Sequence, residues 1–168
     1  SNEIMANNGN VMPSSINFGG PDPVNGTNPM NSDLNGRTSL EVLDAIVAYA
    51  GDIGLKIILD NHSRAADAYL QEDLWYTSNF SEQQWIDDWV SLATRYAGNS
   101  TIVGMDLNNE PHGRASWGTN NSATDWNSAA ERCGNAILAV NPDVVIIVEG
   151  IGNHSDGSSY WWGGILRG

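Results

Sequence analysis

Basic residues are scarce in this sequence. Seven Lys and Arg stand against twenty Asp and Glu, giving a net charge of -13 and a pI near 4.2. Phosphate binding needs clustered cations, so this balance argues against a nucleic-acid partner and favours a neutral or cationic ligand. Cysteine is scarcer still. Cys133 stands alone, which excludes an internal disulfide and any cysteine-based metal spacing; on a helix face it serves as a small apolar residue. No apolar run reaches the roughly eighteen residues of a membrane span. The opening SNEIMANNGN has neither the basic end nor the apolar middle of a signal peptide, so for an exported protein the leader is expected outside this chain. No G-x-G-x-x-G or G-x-x-x-x-G-K-[ST] follows an apolar run, and no H-x-H or H-E-x-x-H occurs. No cofactor and no metal are expected.

What is present suits one domain: 168 residues, of which 40% are apolar, can bury a core. Residues 6 to 37, densest in GGPDPVNGTNPMNSD, read as a long irregular loop. Thr38 and Glu41 then form a capping-box pattern ahead of Leu43, Ile46, Val47 and Ala50 at helical spacing, and Gly51 and Gly54 end that helix. LKIILD, residues 55 to 60, reads as a strand. Ser81 and Gln84 offer a second capping box for a helix with Trp85, Trp89, Leu92 and Tyr96 on one face and Gly98 as its stop. IVGMDL, residues 102 to 107, is the next strand. A third helix runs from about Thr124 to Val140 with Trp126, Ala130, Cys133 and Ile137 as its stripe, and VVIIVE, residues 144 to 149, is a third strand.

These strands are continuous apolar runs separated by helices, so they read as parallel and covered. A βαβαβ unit of this kind belongs to an open doubly wound sheet or to a barrel, and in both the chemistry sits at the carboxyl ends of the strands. Strand starts lie 47 residues apart (55 to 102) and then 42 (102 to 144). Eight such units would need about 350 residues, within the range of (β/α)8 barrels with insertions. The polar residues gather where the rule puts them. Asp60-Asn61-His62 end the first strand, Asn108-Asn109-Glu110-Pro111-His112 the second, and Glu149-Gly150 with Asn153 and His154 the third.

A strand-end Glu beside an amide is what glycoside hydrolysis asks of a proton donor. Glu110 fits the general acid, Asn109 can bond the sugar hydroxyl beside the reacting carbon, and Pro111 fixes the turn. The stretch LNNEPHG resembles the signature of glycoside hydrolase family 5, the retaining cellulases and related β-glycanases on (β/α)8 barrels. GLKIILDNH, LWYTS, STIVGMDLNNEPH, NPDVVIIVEG and SYWWGG look like successive landmarks of its bacterial endo-β-1,4-glucanase branch, so the resemblance covers nearly the whole chain.

The resemblance implies an α/β fold, a partial (β/α)8 TIM barrel holding about strands 3 to 5 with their helices. Residues 1–168 would then be a piece of one catalytic domain, with 1–37 a long loop on the active face and 38–168 the βαβαβ core and following loop. It implies Glu110 as acid/base with Asn109 supporting it, and His62 and His112 as substrate-binding residues. Trp161 and Trp162 would form a glucose platform, since the apolar face of a β-linked glucose packs flat on an indole ring. The implied partner is a β-glucan polysaccharide or oligosaccharide, bound by a monomeric, secreted or extracellular protein without a membrane contact.

The family's nucleophile, a Glu at the end of the seventh strand, is expected outside this chain, as are its second-strand arginine, the His and Tyr of the sixth-strand region and the eighth-strand Trp. In the complete enzyme the two carboxyls should lie about 5 to 5.5 Å apart. Spacing alone would pair Glu110 with Glu149 as nucleophile; the resemblance argues against that, because the matching position is not catalytic in the family. Two other readings stand beside the enzyme: a carbohydrate-binding protein without catalysis, and a metallohydrolase using Asp60, His62, His112 and His154. Asp60 and Asp106 are expected to accept hydrogen bonds rather than to titrate, His112 and His154 to be hydrogen-bonding loop residues, and Trp85, Trp89 and Trp126 to be core. Trp75 fits either cleft wall or packing. Unpaired edges at 55–60 and 144–149 and unpartnered inward apolar side chains should leave the isolated chain poorly soluble or loosely folded.

Overall fold

The computed structural model describes residues 2–6, 31–34, 36–66, 68, 71–159 and 161–163. Most of the expected loop, residues 7–30, lies outside them, and a five-residue helix, α1 (Asn2–Ala6), precedes it. A 3-10 turn over Ser32–Leu34 leads to α2 (Ser39–Asp52), followed by β1 (Ile57–Asp60), α3 (Glu82–Arg95), β2 (Ile102–Asp106), α4 (Trp126–Val140) and β3 (Val145–Ile147). The sheet order is β1-β2-β3, all parallel. This is the partial (β/α)8 barrel that the sequence led us to expect.

The caps explain where the helices start. Thr38 closes a complete box on α2: its Oγ1 accepts from Glu41 N, and the Glu41 carboxylate accepts from Thr38 N at 2.7 Å. The second box is only half made. Ser81 accepts from Gln84 N at 3.2 Å, but the Gln84 side chain is turned along the helix, where its amide donates to the buried Asp88 carboxylate at 2.7 Å. At α4 the cap residue Asp125 makes no side-chain bond to the helix backbone; its carboxylate accepts from Gly118 N, Asn120 N and Ser128 Oγ, which folds the 116–125 loop back on the start of the helix.

Period-two alternation sends the strand side chains to two faces. Leu59, Met105 and Ile146 share a register row and face the helices; Ile146 lies against Gly134 of α4. There Trp75, Trp85 and Trp126 are fully buried with ring centroids 5.3 to 6.3 Å apart, which places Trp75 in the packing and not on a cleft wall. Its ring nitrogen donates to Glu82 at 2.8 Å. The opposite face carries Ile58 and Val145, 54% and 60% exposed, with Gly104 between them in the register. A side chain at Gly104 would come within 3.2 Å of Ile147 and 3.3 Å of Ile58.

Candidate active site

Hydrogen bonding continues past the strands and keeps their ends in step. Asn61 N donates to Asp106 O at 3.2 Å, Leu107 N to Ile147 O at 3.1 Å, and Asn109 N to Asn61 O at 3.2 Å. Beneath this rim the indole nitrogens of Trp85 and Trp89 both donate to Leu107 O at 3.0 Å, so α3 is tied directly to the segment leading to Glu110. Asn108 is fully buried and its amide donates to Asn109 O at 3.1 Å, which stiffens the turn.

Glu110 has φ +48, in the left-handed region that a residue with a side chain enters at a cost of about 1–3 kcal/mol unless its surroundings hold it there. They hold both sides of its peptide. Its N–H donates to Glu149 Oε2 at 2.9 Å, and its carbonyl accepts from His112 Nδ1 at 2.7 Å. A carbonyl can only accept, so Nδ1 carries the hydrogen. Nε2 of the same ring faces Asp73 Oδ1 at 3.7 Å. Pro111 O accepts from Gly152 N at 2.8 Å and from the Trp162 ring nitrogen at 3.0 Å, so the loop after β3 is fastened to the residue that follows Glu110.

The other sequence-derived site residues lie on the same rim. His62 is exposed, with Nδ1 2.9 Å from Asp60 Oδ2. Asn109 and Glu110 are half-buried, and among the described residues neither side chain has a hydrogen-bond partner. Trp161 is 90% exposed, whereas Trp162 is half-buried and its carbonyl accepts from Gly150 N. Both have positive φ, +33 and +49. His154 shapes its loop through its backbone, donating to Ser158 O and accepting from Gly157 N at 2.9 Å each. Among the described residues Asp60, His62, His112 and His154 are not brought together as a group able to hold a metal ion.

One expectation fails at Asp106. Burial first, and then the charges of Glu149 and Asp60, push its carboxyl up to about 7, and a hydrogen bond with Glu149 acts in the same direction. Its Oδ1 is buried without a partner. Glu149 is also raised by burial, opposed by the Glu110 N–H and by Asp106. Burial thus raises both carboxyls of this close pair above the usual carboxylate range. Sequence reasoning missed this pair although its signal is there: Asp60, Asp106 and Glu149 end three consecutive strands, and parallel register sets the first two opposite each other. It also missed Arg64, 1% exposed, whose guanidinium lies 3.5 Å from Glu72 and donates to Leu74 O. The Glu72 carboxylate accepts from the backbone N–H groups of Arg64 and Ala65, so one buried ion pair organises the loop that carries His62.

The sequence matches the family described as Cellulase (glycosyl hydrolase family 5) over residues 15–164. It is 51% identical over 140 residues to an Endoglucanase of Paenibacillus polymyxa, covering 82% of this chain and 35% of the relative. It is 42% identical over 160 residues to the Major extracellular endoglucanase of Xanthomonas campestris pv. campestris, covering 94% of this chain and 31% of the relative. Among solved structures, a cellotetraose complex of an endocellulase from Pyrococcus horikoshii superposes with a TM-score of 0.70 at 41% identity, covering 74% of this chain and 36% of that one. The chain spans about a third of the length of the curated relatives it matches.

Proposed function

The chain belongs to glycosyl hydrolase family 5, and from that premise we propose that it serves a retaining endo-β-1,4-glucanase acting on cellulose or related β-glucans, with Glu110 as general acid/base. The observation that carries the proposal is the rim itself. Glu110 leaves the end of β2 on a backbone clamped at its N–H and its C=O, its carboxyl without a hydrogen-bond partner among the described residues and Asn109 beside it. In the first half of the reaction a second carboxylate of the complete domain bonds to the anomeric carbon as the Glu110 carboxyl protonates the departing glycosidic oxygen; in the second, water displaces that carboxylate and gives its proton to the Glu110 carboxylate. Asn109 bonds the hydroxyl next to the reacting carbon. His62, its Nδ1–H turned to Asp60, presents Nε2 to the sugar, and His112 acts through the Glu110 carbonyl.

Trp161 offers an open indole face for a glucose ring, and the tethered Trp162 holds the loop that presents it. A cellotetraose complex of a relative and the extracellular naming of another support an oligosaccharide or polysaccharide substrate and a secreted protein. We take the complete domain to be monomeric, with residues 38–168 as its βαβαβ portion. Glu149 is not assigned as the nucleophile, because Oε2 is committed to the Glu110 N–H.

The test uses this chain expressed with whatever coding sequence adjoins it in frame, assayed for reducing ends released from a soluble β-1,4-glucan. Activity that Glu110→Gln abolishes supports the reading. Full activity in that variant would sink it, and binding of cellotetraose without turnover by the unaltered protein would favour the non-catalytic alternative.

A further inference from the structure

A left-handed glutamate at a strand end needs a holder, and the structure provides one that the two-carboxylate scheme does not use. We propose that Glu149 is a positioning residue for Glu110: by accepting the Glu110 backbone N–H it fixes the left-handed peptide from which the acid/base carboxyl is delivered. The inference rests on the assignment of Glu110 made above.

Four observations converge on it. The contact is direct, 2.9 Å from Glu110 N to Glu149 Oε2, across 39 residues of sequence. Its counterpart on the other side of the residue is the His112 ring, so the peptide cannot relax to negative φ without breaking both bonds. Glu149 is itself anchored, because the Trp126 ring nitrogen donates to its carbonyl at 2.8 Å and Trp126 is fully buried in the tryptophan cluster. The rigid core under α4 is thereby linked to the rim. Finally, the Glu110 N–H and the Asp106 side chain both favour the charged, accepting form of Glu149 against its burial. Charge-assisted bonds of this kind are shorter and about twice as strong as neutral ones. A buried carboxylate left without such partners would be expensive to keep.

A residue that acts through the acid should matter only when the acid matters. The test compares two substrates on the in-frame protein: cellotetraose, whose leaving group must be protonated, and 2,4-dinitrophenyl β-cellobioside, whose leaving group departs unprotonated. Glu149→Leu should lower kcat/KM on cellotetraose on the order of 10²-fold and on the aryl cellobioside by less than about fivefold. Glu149→Gln, whose amide oxygen can still accept the N–H, should recover most of the loss on cellotetraose. If Glu149→Leu does not fold, Glu149→Asp, which draws the carboxylate back from the N–H, carries the same expected split. Equal losses on both substrates in Glu149→Leu and Glu149→Gln would overturn the proposal, as a nucleophile would behave that way; so would an unaffected cellotetraose rate in Glu149→Leu. Glu110→Ala run in parallel separates the two claims: if it keeps its cellotetraose rate, the acid/base assignment has failed, whatever the Glu149 variants do.

Discussion

Beneath α3 and α4, Trp75, Trp85 and Trp126 exclude water completely, with their ring centroids 5.3 to 6.3 Å apart and their ring nitrogens each given an acceptor. At the ends of β1, β2 and β3, Asp60, Asp106, Glu110 and Glu149 crowd four carboxyls onto a half-open rim, one of them on a left-handed backbone. The first region lowers the free energy of the fold by burying apolar area. The second raises it, through desolvated charge and a costly φ. Hydrogen bonds from Trp126 to Glu149 O and from Trp85 to Leu107 O join them, so the packed region is also the frame against which the rim is held. What the contrast teaches is that the two regions should respond to substitution in opposite currencies: stability on one side, chemistry on the other.

The largest effect should come from breaking the packed side. Trp126→Ala removes a fully buried ring at the centre of the cluster and should cost about 3–5 kcal/mol, read as a lower midpoint in urea unfolding. It should also weaken turnover in the fraction still folded, since Glu149 O loses its donor. A loss below about 1 kcal/mol would mean that the cluster tolerates a cavity and is no rigid frame. Next comes the rim. Glu110→Gln should reduce kcat/KM on cellotetraose by about 10² to 10⁴-fold, the range for a lost general acid, with the unfolding midpoint unchanged. A shifted midpoint would erase the division between the regions.

Trp161→Ala sharpens the comparison because it is a tryptophan that obeys the rim's rule. Its ring is 90% exposed, so stability should hold while binding of cellotetraose weakens about tenfold, the scale of one ring stacked on a sugar face. Isothermal titration on an inactive Glu110→Gln background would read it directly. Unchanged binding would remove Trp161 from the platform.

Much of this arrangement is legible in the sequence because it follows from periodicity and end signals. Thr38 with Glu41, the stripes of α3 and α4, and three apolar runs ending in polar residues suffice to place the elements and the rim. The strands come out shorter than the apolar runs, since Lys56 and Leu55 precede the first ladder bond, from Ile57 N to Thr101 O, and β3 stops at Ile147. What was not legible depends on distances between segments remote in sequence. Gln84 turns from its cap to Asp88, which lies buried one turn on. Trp75 could not be placed before its neighbours Trp85 and Trp126 were. The Asp106 and Glu149 pair required the residue-by-residue register, which sets Asp106 opposite Ile147, and Glu110's left-handed backbone required knowing what grips both sides of its peptide.

The last expected effect is a slope. Asp106 titrates at about 7 in the folded protein, chiefly through burial and then through Glu149 and Asp60, against roughly 3.9 for an unfolded Asp. Between those values the native state binds more protons than the unfolded chain, so the Asp106 contribution is fully present below the unfolded pKa and is lost as pH rises through about 7. Stability measured by urea unfolding should therefore decline from about pH 4 to pH 7. Asp106→Asn places a neutral donor beside Glu149 at every pH and should flatten that decline, whereas Trp126→Ala should lower the whole curve and leave its slope intact. A slope unchanged by Asp106→Asn would mean that another group carries it, and the raised Asp106 carboxyl would have to be given up.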